Sequence, residues 1–182
     1  MKAMMQFGAV CCLAVLLAAC GGNRKIESDL RVRGAPDWVS EGTQAVNNEE
    51  GRFIHGVGMA PEMGDLSLQR ATADNRARTE IARVLSTYVN STLNDYTSST
   101  GYGAGVSVDR AIESTTQLSL AGARILGNWV DKRTGNMYAF AELDMKSLDR
   151  NVATANNLSK AFKDFYSRNA DAHFERFVEE AR

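Results

Sequence analysis

The sequence predicts an α+β fold: a small antiparallel sheet with one long helix packed on it and additional C-terminal helices. First, residues 66–96 place apolar side chains at three- and four-residue steps, the period of an amphipathic helix. Second, two β-rich runs, 124–131 and 136–143, flank the short segment 132–135 that ends in Gly135, a pattern typical of a hairpin. Third, only two prolines occur in 182 residues, so long regular elements are permitted.

A first strand is predicted over residues 52–60, which are rich in β-formers. Gly56 and Gly58 within it indicate a close backbone approach or a bulge. Before this strand, Pro36 favours an extended backbone. Trp38, two residues after Pro36, is the expected first anchor of the core.

The long helix has Asp65 as its expected N-cap. Arg76, Arg83 and Asn90 fall on its outer face, and Arg70, Asp74 and Arg78 are spaced for a network of ion pairs. Its inner face is predicted to carry small residues first and bulk later: Ala73, Ala77, Ile81, Val84, Leu85 and Tyr88.

In the hairpin, Ile125 and Trp129 are expected on one face of the first strand, with Tyr138 and Phe140 opposite them on the return strand. Residues 97–105, rich in Gly, Ser and Thr, are predicted to form a loop. Residues 107–120 suit either a helix or a strand, and we favour a helix.

From Met145 onward the chain is predicted to be helical, with a second, aromatic stripe that starts at Leu158 and runs to Phe177. Two interpretations stay open for this helix. It packs back on its own domain, or it docks on a neighbouring subunit of a homo-oligomer and uses Phe174, which lies off the stripe, as an exposed contact.

The N-terminus predicts a secretory signal peptide over residues 1–19: Lys2, a short apolar run and small residues before Cys20. The apolar run, about 13 residues, is shorter than the ~20 that cross a bilayer. The arrangement resembles a bacterial lipoprotein signal, which implies diacylglyceryl and N-acyl modification of Cys20 as a membrane anchor. The alternative is an ordinary secreted protein with a cysteine at the cleavage point.

Residues 20–35 are then predicted to be the lipidated cysteine and a flexible tether, 36–150 the α+β domain, and 151–182 the aromatic C-terminal helix. By resemblance to other lipoproteins, Gly21 after the cysteine implies sorting to the outer membrane. The expected location is the outer membrane, with the domain on its periplasmic side.

The composition excludes several function classes. The net charge is −1 and no basic patch or RNA-binding motif occurs, so we expect no nucleic-acid partner. Cys11 and Cys12 lie in the signal, so the processed domain has no thiol. His55 and His173 are not in a zinc-binding spacing, and no nucleophile elbow or phosphate loop is found. We therefore expect no catalytic residues, no metal and no cofactor, and His55 is expected to be a hydrogen-bonded strand residue.

Three features together resemble a known family: the lipobox at Cys20, the entry motif over residues 34–39, and the small-residue and arginine pattern over residues 71–82. The chain is similar over residues 34–150 to the LPP-twenty family of small bacterial outer-membrane lipoproteins, which includes the flagellar lipoprotein FlgP. The resemblance implies a non-enzymatic role in envelope structure or assembly, in some members at the flagellar base, through contacts with other envelope proteins.

A different class of function stays open. The small-residue end of the long helix, with Gly56 and Gly58 of the first strand, would border a groove in a periplasmic ligand-binding or sensing module tethered to the membrane.

Overall fold

The computed structural model describes residues 32–42, 51–101 and 106–180. The predicted α+β class is confirmed: the described chain has one three-stranded antiparallel sheet, one long helix and further C-terminal helices. The elements in chain order are α1 Asp37–Glu41, β1 Phe53–Ala60, α2 Leu66–Thr100, α3 Val106–Leu120, β2 Arg124–Val130, β3 Met137–Asp144, α4 Lys146–Thr154 and α5 Lys160–Glu180.

The sheet has the strand order β1-β3-β2, so the hairpin strand β3 lies in the centre. Met137 pairs with Ala60 on one side and with Val130 on the other. The end of β1 and the β2–β3 turn therefore lie at the same end of the sheet. Gly135 in that turn has a φ of 72°, which confirms the prediction that a glycine supplies the turn. Residues that carry a side chain rarely adopt a positive φ.

Helix α2 packs directly on one face of the sheet, as the glycines of β1 predicted. A Cβ atom added to Gly58 would lie 2.3 Å from the backbone nitrogen of Ala77, and one on Gly56 would lie 2.2 Å from its oxygen. The two backbones are thus in contact. No space for a ligand lies between these glycines and α2, and the ligand-binding alternative, in which they border a groove, stays a prediction.

The start of α2 is the predicted one. The Asp65 carboxylate accepts hydrogen bonds from the backbone N–H groups of Ser67 (2.8 Å) and Leu68 (3.0 Å). The inner stripe is buried as expected, with Val84 half-buried at its margin, and Arg76, Arg83 and Asn90 are exposed.

The end of α2 differs from the prediction. Residues 97–100 were expected in a loop, but the helix runs to Thr100 and ends on Gly101, whose φ is 68°. Hydroxyl groups of this segment donate to carbonyls one turn back, as Thr97 does to Asn94, so its polar side chains are satisfied within the helix. Residues 102–105 of the predicted loop lie outside the described residues. The helix favoured for 107–120 is confirmed by α3.

The ion-pair network predicted on α2 is only partly formed. Arg70 Nε lies 3.9 Å from the Asp74 carboxylate, but in the described residues Arg78 forms no ion pair with it. Asp74 instead accepts a hydrogen bond of 2.7 Å from Asn128 Nδ2. The carboxylate therefore ties α2 to β2 rather than supporting the helix alone.

The hairpin is confirmed, with one correction in its facing. Trp129 pairs with Tyr138 and their rings lie 5.6 Å apart, as predicted. A register shift between Ile125 and Gly127 places Ile125 opposite Ala141, on the face covered by α2. Ile125 and Trp129 were expected on the same face, which is wrong because the bulge inserts one residue between them.

Trp38 is half-buried, and its ring lies 5.4 Å from that of Phe140, on the sheet face turned away from α2. It was expected to be the first anchor of the core, but it is only half-buried and anchors α1 to the second face of the sheet instead.

Helix α4 spans residue 150, the predicted boundary between domain and C-terminal helix. Helix α5 packs back on α2, which confirms the first of the two interpretations. Phe174, expected to be exposed if the helix docked elsewhere, is 4% exposed and meets the Tyr88 ring edge-on at 5.9 Å. The buried stripe of α5 consists of Phe162, Tyr166, Ala170 and Phe174. It shares Phe162 and Tyr166 with the predicted stripe and then continues through Ala170 and Phe174 instead of Asn169 and His173.

Candidate functional site

Exposed apolar side chains are concentrated at one end of the sheet. Seven large apolar residues are exposed in the described chain, and five of them belong to the end of β1, the β1–α2 loop, the first turn of α2 and the end of β2. Leu66 is the most exposed of them, at 68%. We call these five residues the sheet-end surface: Met59, Met63, Leu66, Leu68 and Val130.

The sheet-end surface rests on a buried polar tie. Gln69, 4% exposed, donates from Nε2 to the backbone oxygen of Gly135 at 2.7 Å and lies 3.4 Å from that of Ala60. One side chain thus joins α2, the end of β1 and the β2–β3 turn. Because the segments are fixed to each other, the apolar side chains that they carry are presented on a stable base.

The β2–β3 turn is held by Asp131 at its start. Its carboxylate accepts hydrogen bonds from the Thr134 hydroxyl at 2.7 Å and from the backbone N–H of Arg133 at 2.9 Å. These bonds lower the pKa of Asp131 below its ordinary value, and the bond from Thr134 has the largest effect. The carboxylate is therefore committed to shaping the turn.

Charges of both signs surround the sheet-end surface. Glu62 and Asp65 are exposed on the β1–α2 loop, and Lys132 and Arg133 are exposed on the adjacent turn. Glu62 packs over the turn: a Cβ atom on Gly135 would lie 2.7 Å from its Oε2 atom. Arg133 pairs with Asp131 of its own turn, 3.7 Å away, and within the described residues neither loop carboxylate forms an ion pair with a turn cation.

A second cluster, the Arg52 junction, lies at the opposite end of the sheet and consists of Arg52, Asp149, Tyr166 and Asp171. Arg52 Nη2 is ion-paired with Asp149, and its Nε lies 2.9 Å from Asp171 Oδ1. Tyr166 donates its hydroxyl to Asp149 Oδ1 at 2.8 Å. The junction therefore joins the residue before β1 to α4 and α5. Arg52 Nη1 is buried, with no hydrogen-bond partner in the described chain.

The protonation states of the junction suit a structural tie. Burial is the largest single influence on the pKa of Arg52 and lowers it, but Asp149, Tyr166, Asp171 and Tyr88 together more than offset this, and the net pKa is raised. Burial, together with Tyr88 and Asp149, raises the pKa of Tyr166 far above its ordinary value. Tyr166 thus stays protonated and acts as a hydrogen-bond donor to Asp149.

A pocket of about 300 Å³ opens beside the Arg52 junction. Lys163 and Ser167 line it from successive turns of α5, and Val152 and Ala153 line it from α4. Lys163 Nζ donates to the backbone oxygen of Ala153 at 3.2 Å and, in the part of the chain that the structure describes, forms no ion pair. The Arg52, Asp149 and Asp171 side chains of the junction also line the pocket, which therefore carries charges of both signs beside an apolar wall.

His55 is the hydrogen-bonded strand residue that the sequence predicted. Its Nε2 lies 3.2 Å from Glu142 Oε2, and its ring stacks on that of Phe140 at 5.2 Å. Burial lowers the pKa of His55 despite the neighbouring carboxylate of Glu142. His55 is therefore a largely neutral packing residue on the second face of the sheet.

The other histidine lies between α2 and α5. His173 Nδ1 is 3.2 Å from Asp95 Oδ2, and Arg176 pairs with the same carboxylate. Burial lowers the pKa of His173, and the repulsion of Arg176 works in the same direction. The three side chains cross-link two helices at the surface.

In residues 32–42, 51–101 and 106–180, no three His, Cys, Asp or Glu side chains come close enough to hold a metal ion. No helix in these ranges is sufficiently long and apolar to cross a membrane. Cys20, the predicted lipidation site, lies outside the described residues, as do the signal peptide and most of the tether.

Sequence reasoning did not single out the sheet-end surface. A signal was present, since Met63, Leu66 and Leu68 precede the small inner stripe that begins at Ala73. Three large apolar residues before a stripe of alanines indicate side chains that the sheet contact does not use. The Arg52 junction had no comparable signal, because Arg52 is 97 residues away from Asp149 and 119 residues away from Asp171 in the sequence.

A scan against protein-family models and a search of curated proteins both found no match to this chain.

Proposed function

We propose that the chain is a lipoprotein anchored through Cys20 to the outer membrane, on its periplasmic side, with a non-enzymatic structural or assembly role in the envelope. The LPP-twenty resemblance extends this proposal to the flagellar base as one specific place of action. The anchor part rests on the lipobox and on the short apolar run before it.

The sheet-end surface is the observation that carries the assembly part. Five exposed apolar side chains on a hydrogen-bonded base are costly to leave in water and gain free energy when a partner covers them. Methionine, of which this surface has two, is also enriched in protein–protein contacts. Other envelope proteins are therefore the proposed partners.

Pull-down from envelope fractions tests the assembly role, with two matched variants. Leu66→Glu introduces a charge into the sheet-end surface, whereas Leu118→Glu does so at a leucine of similar exposure (64%) on α3. We expect Leu66→Glu to lose its co-purifying proteins and Leu118→Glu to retain them. Equal recovery with both variants would count against the assembly role.

The anchor is tested separately by replacing Cys20 with Ala. The wild-type protein is expected to incorporate radiolabelled palmitate and to fractionate with the outer membrane, and Cys20→Ala to do neither. Unchanged labelling and fractionation of the variant would refute the anchor.

The pocket beside the Arg52 junction favours a second candidate function, a tethered ligand-binding or sensing module. Its volume of about 300 Å³ admits a small molecule, and its lining offers the Lys163 cation and the Ser167 hydroxyl beside Asp149 and Asp171, whose carboxylates pair with Arg52. Thermal-shift screening with small carboxylic acids and phosphate tests this, since a bound ligand raises the melting temperature with its concentration. The rise should be absent in Lys163→Gln.

A further inference from the structure

We infer that the pocket beside the Arg52 junction binds a short zwitterionic peptide, with the carboxylate of the peptide at Lys163 and its ammonium group at Asp171. This inference rests on the ligand-binding function proposed above as the second candidate, and it names the class of ligand. It depends on three observations: charges of both signs in one pocket, an open donor and an open acceptor at separate places in its lining, and an apolar wall beside them.

The side chains that line the pocket carry no net charge. Arg52 and Lys163 contribute two positive charges, and Asp149 and Asp171 contribute two negative charges. A ligand with a single charge meets two like charges in this lining, and both their repulsion and its own desolvation oppose binding. A ligand with one charge of each sign can place each of them beside an opposite charge.

The existing ion pairs determine where the two ends of such a ligand can bind. Both oxygens of Asp149 have partners within the Arg52 junction. Asp171 pairs with Arg52 through Oδ1 only, and its side chain is 86% exposed, so Oδ2 is open to a ligand. Lys163 Nζ donates to the backbone oxygen of Ala153 at 3.2 Å, which leaves two of its three N–H groups for a ligand. The open acceptor is therefore Asp171 and the open donor is Lys163.

The spacing of the two open groups sets the length of the ligand. Lys163, Ser167 and Asp171 follow each other at four-residue steps on one face of α5, so the first and the last are about 12 Å apart along the helix. Hydrogen bonds at the two ends of the ligand occupy about 6 Å of this distance. The remaining 6 Å or so is close to the length of two extended residues, at about 3.3–3.6 Å each. A single amino acid is about half as long.

The rest of the lining suits a peptide of small residues. The Ser167 hydroxyl donates to the backbone oxygen of Asp164 at 3.2 Å, and its oxygen is still able to accept a peptide N–H group. Val152 and Ala153 of α4 and Ala170 of α5 offer apolar contacts to short aliphatic side chains. The volume of about 300 Å³ is at the low end for pockets that hold small molecules, as a dipeptide requires.

The test is calorimetric titration of the full-length protein, purified in detergent, with alanylalanine and with two analogues that each lack one charge. N-acetyl-alanylalanine has no ammonium group, and alanylalanine amide has no carboxylate. We expect alanylalanine to bind with a dissociation constant below about 1 mM, and each analogue to bind at least about tenfold more weakly. This comparison uses the wild-type protein alone and does not depend on the folding of a variant.

Two variants assign the two ends of the ligand. Lys163→Gln should bind alanylalanine and its amide equally, because it lacks the cation that recognises the carboxylate. Asp171→Asn should bind alanylalanine and its acetylated form equally, for the corresponding reason. Lys160→Gln is the matched control, since this lysine of α5 is 88% exposed, pairs with Asp164 and does not line the pocket. It should keep both preferences, and circular dichroism checks that each variant is folded.

Three outcomes would overturn the inference. These are no binding of alanylalanine at about 10 mM, a wild-type protein that binds either analogue as tightly as alanylalanine, and a folded Lys163→Gln protein that still prefers the free carboxylate. Acetate or phosphate bound as tightly as alanylalanine would also refute the ligand class, but would leave the ligand-binding function in place. Palmitate labelling at Cys20 and the recovery of envelope proteins do not depend on this pocket, so its failure is distinguishable from failure of the first proposed function.

Discussion

The two regions that differ most in this molecule are the α2 face of the sheet and the sheet-end surface. On the α2 face, glycine meets alanine with backbones in contact, and Ala73, Ala77 and Ile81 are fully buried. At the sheet end, leucine and methionine side chains are left in water. The smallest residues thus form the tightly packed interface between helix and sheet, and some of the large apolar residues remain exposed to solvent. This contrast indicates that stability is concentrated in the first region, and the second is the region that we propose contacts partners.

The largest effect is expected from Gly58→Ala, which breaks the closed interface. The new methyl group would meet the backbone of Ala77 at 2.3 Å, and neither backbone can move without separating helix and sheet. We expect a loss of about 3 kcal/mol or more in the free energy of unfolding, measured by urea denaturation.

Gly127→Ala is its matched control, since this strand glycine has nothing within 4 Å of an added Cβ. It should change stability by roughly 0.5 kcal/mol or less. Equal losses for the two variants would show that the contact with Ala77 is not what limits residue size here.

The next largest effect is expected from Tyr166→Phe in the Arg52 junction. It removes the hydroxyl that donates to Asp149 at 2.8 Å but keeps the buried ring. Because the acceptor is a carboxylate, we expect a loss of about 1.5 kcal/mol in unfolding free energy. Tyr138→Phe, at a half-buried tyrosine on the sheet, serves as control, and a loss no larger than that of the control would contradict the role of this hydrogen bond.

Asp65→Ala should cost about 1 kcal/mol, since it removes the N-cap of α2. Asp65→Asn should recover most of this loss because its side chain still accepts the N–H groups. If thermal denaturation places Asp65→Asn no higher than Asp65→Ala, the cap is not the source of the effect.

A smaller effect is expected from acidification. Burial lowers the pKa of His55 and of His173 in the folded protein below 6.5, the ordinary pKa of histidine. As the pH falls through 6.5, these histidines therefore bind protons more readily in the unfolded chain than in the folded protein. Stability is therefore full above that pH and falls as the pH decreases through 6.5 toward the lowered values. Melting temperatures from pH 7.5 to 5.5 should decrease in the wild type and decrease less in His55→Gln; parallel curves would contradict this.

The smallest effect on stability is expected from Leu66→Glu, because its side chain is 68% exposed. Its unfolding free energy should stay within about 0.5 kcal/mol of the wild type at a concentration where the protein is monomeric. A large loss would show that this leucine belongs to the folded core and would remove the contrast between the two regions.

The parts of the fold that depend on local periodicity could be predicted. The cap at Asp65, the small inner stripe of α2, the close approach at Gly56 and Gly58, and the hairpin turn at Gly135 each follow from residues that are near in sequence. The bulge at Ile125 could not be predicted, because it depends on register with β3. The Arg52 junction could not be either, since it needs the packing of α4 and α5 against the start of β1.

The end of α2 shows a third kind of limit. Residues 97–100 have the composition of a loop, yet they continue the helix because their hydroxyl groups bond to its own carbonyls. In α5 the predicted stripe turned from Tyr166 to Asn169 and His173, whereas the buried line continues in four-residue steps from Tyr166 to Ala170 and Phe174. Which of two neighbouring lines is buried depends on the packing of α5 against α2, which the sequence pattern does not contain.

The central claim, that the sheet-end surface is covered in the envelope, is tested most directly by hydroxyl-radical footprinting. Intact envelopes are compared with the same protein solubilised and diluted to about 10 nM, where we expect it to be monomeric. Met63 and Leu66 should be oxidised several-fold more slowly in envelopes, whereas Leu118 should react equally in both. Equal oxidation of Met63 and Leu66 in the two preparations would contradict the claim.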